Sequence, residues 1–132
     1  MLLGDLGAEV IVVDDGTAHS ERVRWQEPGV APDDLTRPLE YMRRNARRIA
    51  LNLKHSDGQH VVQQLVSQAD VLIESFRPGV AARLGLGPEQ LRERHPRLVY
   101  CSISGYGQSG PYRDWQGHDI NYLALGGLLG LT

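Results

Sequence analysis

Apolar and polar positions alternate along this chain in two rhythms. Residues 8–14, 70–74 and 98–104 are short, nearly continuous apolar runs of strand length. Each predicts a buried β-strand. A weaker alternation over 48–53 predicts a fourth. Between them the period lengthens. Val61, Val62, Leu65, Val66 and Ala69 recur at helical spacing, so residues 56–69 predict a helix with Ser56 as its N-cap. Arg77-Pro78-Gly79 turns the chain into a short helix ending at Arg83, and Gly87-Pro88 opens another over 89–94. The last apolar helix is expected over 119–129. The opening residues read as the last turns of a helix capped by Gly7. Strands that alternate with helices predict an α/β architecture, a parallel sheet with flanking helices.

Residues 15–38 break both rhythms. They are rich in proline, glycine and charge, and predict a long irregular excursion of the kind that has a function or covers a site. The chain reads as truncated at both ends: its first residues belong to the end of a helix, and its last apolar helix has nothing after it to cover it. These 132 residues are expected to be poorly stable and to have little activity alone.

Charge adds one local feature. The formal net charge of −2 gives no general attraction to nucleic acid or membrane. Arg43, Arg44, Arg47, Arg48 and Lys54, however, form a run with no acidic residue among them, either a phosphate-holding cluster or a solvated face. The single cysteine, Cys101, excludes an internal disulfide and reads as a small core residue; a reducing, cytoplasmic location is expected. No secretory signal is visible, and the longest apolar stretch, 123–131, is far below the ~20 residues a bilayer requires.

Three groups of residues are candidates for chemistry. Gly105-Tyr106-Gly107-Gln108-Ser109-Gly110 matches G-x-G-x-x-G after a strand, but Pro111 follows and no helix opens. A loop that lets backbone approach another ligand fits better than a dinucleotide site. His55, His60 and Cys101 match no metal-binding spacing, and no metal is expected. His118-Asp119-Ile120-Asn121-Tyr122 is the densest polar group. A histidine at a helix N-terminus faces the positive end of the helix dipole, which favours the neutral imidazole and suits proton abstraction. The plainer alternative is a capping region with Asp119 as the cap and His118 exposed.

Together, Leu6-Gly7-Ala8-Glu9-Val10-Ile11, Arg44 through Lys54, Ala69 through Gly79, Arg83-Leu84-Gly85 and Ser104 through Tyr112 stand in an order that resembles the family III coenzyme A-transferases (CaiB/BaiF type) over nearly the whole chain. Gly117-His118-Asp119-Ile120-Asn121-Tyr122 resembles the α-methylacyl-CoA racemase branch. The resemblance implies a Rossmann-like sheet, here as a partial N-terminal CoA-binding domain over 1–132 without the family's first strand and helix or its second domain. It implies epimerisation of 2-methylacyl-CoA thioesters, with His118 as one acid/base group and an aspartate beyond Thr132 as the other. The alternatives are a CoA-transferase, with His118 incidental, and an inactive CoA-binding fragment.

By the same resemblance Leu51, Asn52, Leu53, Lys54, Ser75, Phe76, Arg77, Arg83, Asp119 and Tyr122 contact coenzyme A, with help from Arg44 and Arg47. Coenzyme A enters only as part of the substrate, with no other cofactor. The full-length form is expected to be an interlocked homodimer, with no nucleic-acid or membrane partner. One departure stands out: Asp14 is followed by Asp15 and Gly16, where the family carries a cation that touches the nucleotide.

Overall fold

The structure, a computed structural model, describes residues 2–15 and 44–131. The excursion expected over 15–38 lies outside them except for Asp15. Internal contacts divide the chain into two units, Met1–Val62 and Gln63–Thr132.

In the first unit, helix α1 (Leu2–Asp5) ends in a turn in which Gly7 adopts φ +94°, the left-handed conformation expected of a helix cap. Strand β1 (Val10–Asp14) follows and pairs in parallel with β2 (Ala46–Ala50), in the register Val10↔Ala46 to Asp14↔Ala50. β2 lies two residues earlier than the alternation at 48–53 predicts. The Leu51 N–H still donates to the Asp14 carbonyl at 2.7 Å, so the ladder runs one residue past the strand.

This pairing brings three members of the cationic run to acidic residues earlier in the chain. The guanidinium of Arg44 meets Asp5 at 2.6 Å, Arg47 pairs with Glu9, and Arg48 with Asp14. Asn45, at φ +61°, donates its side-chain amide to Asp5 at 2.8 Å. Asparagine is one of the few residues that enter this region readily. Helix α2 (Ser56–Ser67) starts at the predicted place with a different cap: His55 Nδ1 accepts the Asp57 N–H at 3.3 Å, and Ser56 is already helical. α2 runs across the division between the units, and Val62 and Val66 are buried on it, as their spacing predicts.

In the second unit, β3 (Val71–Glu74) pairs in parallel with β4 (Val99–Ser102). The connection between them carries α3 (Val80–Arg83) and α4 (Pro88–Arg94), the latter opened by Pro88 as the sequence predicts. Val66, Ala81, Leu86, Leu91 and Leu98 are the buried apolar residues here, with Leu91 fully enclosed. Tyr100, half-buried, donates its hydroxyl to the Leu86 carbonyl at 2.9 Å and ties β4 to the segment after α3.

The strands are not buried on both faces, contrary to the sequence reading. Leu72, Glu74, Tyr100 and Ser102 are partly covered, whereas Val71, Ile73 and Val99 keep about half or more of their surface exposed. Cys101 lies opposite Ile73 on that exposed face and is not a core residue. An apolar run marks a strand suited to cover on both sides; among the described residues one side of this pair stays open.

After β4 the chain runs through the glycine-rich loop to α5 (Asp119–Leu125), followed by a single 3-10 turn, Leu128–Gly130. The helix predicted over 119–129 breaks at Gly126-Gly127, where Gly127 takes φ +78°.

Candidate functional site

The groups singled out by the sequence fall in both units, and each set is organised by its own elements. In the first unit, residues 51–54 form a tight turn between β2 and α2. Asn52 Oδ1 accepts the Lys54 N–H at 3.0 Å, and the Asn52 carbonyl accepts the His55 N–H at 3.0 Å. Gln59 Nε2 donates to the Leu53 carbonyl at 3.0 Å and holds the turn against the start of α2. Leu51 and Leu53 are half-buried, while Asn52 and Lys54 face solvent. Arg44 and Arg47, expected to assist in holding phosphate, are each matched to a carboxylate on α1 or just before β1, which weakens that role. Among the described residues no carboxylate stands within ion-pair distance of Lys54.

In the second unit, the residues after β3 and β4 converge at the carboxyl ends of the two strands, where α/β sheets place their ligands. Glu74 ends β3 and directly faces Ser102 at the end of β4. One oxygen of its carboxylate accepts the Phe76 N–H at 2.7 Å, and the other accepts the Ser102 hydroxyl. Gln108, in the glycine-rich loop, donates to Ser102 Oγ at 2.7 Å and to Ser104 Oγ at 3.3 Å. This chain of bonds joins the turn bearing Ser75, Phe76 and Arg77 to the glycine-rich loop. Ser75 and Arg77 are exposed, and Arg83 ends α3 with its side chain in solvent.

Gly107 and Gly110 take φ +84° and +93°, and residues 111–114 form a turn, not a helix. The loop is therefore no dinucleotide fingerprint, as the sequence argued. Its aromatic residues pack as tilted pairs: the Tyr106 ring centre lies 5.0 Å from that of Tyr122 on α5 and 6.0 Å from that of Tyr112, and the Tyr112 ring lies 4.6 Å from that of Trp115.

His118, not Asp119, is the N-cap of α5, and Asp119 is its first residue; His118 is exposed, as the capping alternative expected. The backbone N–H of His118 donates to Asn121 Oδ1 at 2.9 Å, and its carbonyl accepts the Asn121 N–H at 2.9 Å. The backbone at 118 is thus fixed while the imidazole stays exposed, with Asp119 beside it, also exposed. Tyr122, one turn on, donates its hydroxyl to the Gly117 carbonyl at 3.0 Å. That hydroxyl is already engaged, and the ring pins the loop to the helix.

The sequence singled out His118, the two turns and the loop. It missed Glu74, Ser102 and Gln108 as the connection between them. The only signal was the polar residue ending each apolar run, and pairing those two residues requires the strand register.

A family model described as CoA-transferase family III matches residues 1–132. The chain is 41% identical over 129 residues to alpha-methylacyl-CoA racemase of Mus musculus, covering 98% of this chain and 29% of the racemase. It is 39% identical over 134 residues to succinyl-CoA:glutarate CoA-transferase of Homo sapiens, covering 100% of this chain and 30% of the transferase. The crystal structure of a CAIB/BAIF family protein from Brucella suis superposes with a TM-score of 0.81 at 34% identity, over 98% of this chain and 35% of that one. The chain thus spans about a third of the length of these proteins.

Proposed function

This chain belongs to CoA-transferase family III, and from that premise we propose that the full-length protein acts on acyl-CoA thioesters, epimerising the carbon beside the carbonyl with His118 as one of two acid/base groups. The observation that carries this reading is the placement of His118, an exposed imidazole on a backbone fixed at the start of α5. The similarity to alpha-methylacyl-CoA racemase covers this segment.

The thioester carbonyl acidifies the hydrogen on its α-carbon. A neutral imidazole removes that proton to give an enolate, and a second group on the opposite face returns one, which scrambles the stereocentre. Backbone N–H groups of the glycine-rich loop and the start of α5 are the candidates to stabilise the enolate oxygen. The turns at 51–54 and 75–77, with Arg83, are candidates for the nucleotide end, where guanidinium forks suit phosphate.

Incubating the full-length protein with a 2-methylacyl-CoA in deuterated water tests this. The α-hydrogen should exchange, and His118→Ala should slow exchange by roughly 10²- to 10⁴-fold with an unchanged circular dichroism spectrum. Undiminished exchange in that variant would end the proposal.

A second reading rests on the comparable similarity to succinyl-CoA:glutarate CoA-transferase. In that case CoA moves to a free dicarboxylate, no α-hydrogen exchanges, and His118→Ala leaves transfer intact.

A further inference from the structure

We propose that Arg113 is the second arm of a two-guanidinium clamp, with Arg83 as the first, that holds one phosphate group at the nucleotide end of the acyl-CoA. The proposal rests on the acyl-CoA reading above and adds to it a residue from a different part of the chain. Gly79 makes the arrangement visible. A β-carbon on Gly79 would lie 3.7 Å from Arg113 Nη2 and 3.7 Å from Arg83 Nη1. The two guanidinium groups therefore reach the same small volume from two directions, one from the end of α3 and one from the turn after the glycine-rich loop. Gly79 has φ +81°, which other residues rarely adopt, and its missing side chain leaves that volume open.

Two like charges so placed repel unless an anion lies between them. The protein supplies little to offset them. Among the described residues no carboxylate stands within ion-pair distance of Arg83. Among the described residues the one carboxylate within ion-pair distance of Arg113 is that of its sequence neighbour Asp114, at 3.7 Å, outside hydrogen-bonding range. Both arginines are accessible from solvent, with the Arg113 side chain 40% exposed. The backbone of Arg113 is fixed by its own N–H to the Gly110 carbonyl at 3.3 Å and by the Trp115 N–H to the Tyr112 carbonyl at 2.9 Å. A phosphate group, with its several anionic oxygens, accepts from two guanidinium forks at once; a single guanidinium leaves part of that capacity to water.

Titration calorimetry of CoA into the full-length protein tests the clamp. Arg113→Gln should weaken CoA binding by roughly ten- to hundredfold, and Arg113→Lys should recover part of the loss, which a folding defect would not allow. Arg83→Gln combined with Arg113→Gln should lose less than the product of the two single losses, because both act on one group. Repeating the titration with 3′-dephospho-CoA assigns the group held: an Arg113 effect that vanishes marks the 3′-phosphate, and one that persists marks the pyrophosphate. CoA binding by Arg113→Gln equal to that of the unmodified protein overturns the clamp and leaves the acyl-CoA reading standing. Binding of inorganic pyrophosphate that depends on Arg113, in a protein that does not bind CoA, keeps the two-arginine phosphate site but overturns its assignment to acyl-CoA, and with it that reading.

Discussion

The ring of Tyr122 fills the space that a side chain on Gly105 would need: a β-carbon there would stand 2.5 Å from the ring, closer than such atoms ever approach. The same ring blocks a β-carbon on Gly117, at 2.6 Å, while its hydroxyl bonds to the Gly117 carbonyl. Two glycines and a tyrosine thus set the distance between the glycine-rich loop and the start of α5, which carries His118. Gly105→Ala should therefore push the loop away from the helix and destabilise the protein by about 1–3 kcal/mol, as overpacking does. Tyr122→Phe keeps the ring and loses one hydrogen bond, about 1 kcal/mol. Thermal unfolding of both variants should rank Gly105→Ala as the more damaging. The same order should hold for acyl-CoA turnover; a Gly105→Ala protein of normal activity would show that the spacing does not matter.

Glu74 joins two segments that are distant in sequence. Its carboxylate accepts the Phe76 N–H and the Ser102 hydroxyl, and Ser102 accepts from Gln108. Glu74→Ala strands the Phe76 N–H in a half-buried position, at about 1–3 kcal/mol, and frees the turn bearing Ser75 and Arg77. Glu74→Gln keeps an acceptor and should cost less. In steady-state kinetics both should raise KM for the acyl-CoA more than they lower kcat, because they move the turn proposed to hold the nucleotide end and leave His118 in place. An equal fall in kcat with KM unchanged would contradict this positioning role.

The strands were legible because apolar runs of strand length between helical segments leave few other readings, and the parallel pairing followed from the alternation. The face each strand turns to the core was not. Val71, Ile73, Val99 and Cys101 look like core residues because the run is apolar on both sides, and only the cover actually present decides which side is buried. The cationic run was visible, but not the neutralisation of three of its members. Asp5, Glu9 and Asp14 lie more than thirty residues earlier, and only the β1–β2 register brings them to Arg44, Arg47 and Arg48. His118 was singled out by its local setting, a polar cluster after a glycine and before an apolar helix. Arg113 was not, because its relation to Arg83 depends on where Gly79 places an empty volume.

Tyr100 predicts an alkaline limit to stability. Burial, the neighbouring Glu74 carboxylate and, less strongly, Glu89 push its phenol from 10.0 up to about 12, since each disfavours the phenolate. Below the unfolded value both states carry the proton, so its contribution is fully present there. Between about 10 and about 12 the unfolded chain releases the proton while the folded protein retains it, and stability falls as pH rises through that window. Above it both states are ionised and the contribution is gone. Tyr100→Phe also loses the bond to the Leu86 carbonyl, so it should be less stable at pH 8. Its urea midpoint should nevertheless fall less steeply than that of the unmodified protein above pH 10, so that the two curves converge. Parallel curves from pH 9 to 12 would show that Tyr100 ionises in the folded protein as readily as in the unfolded one.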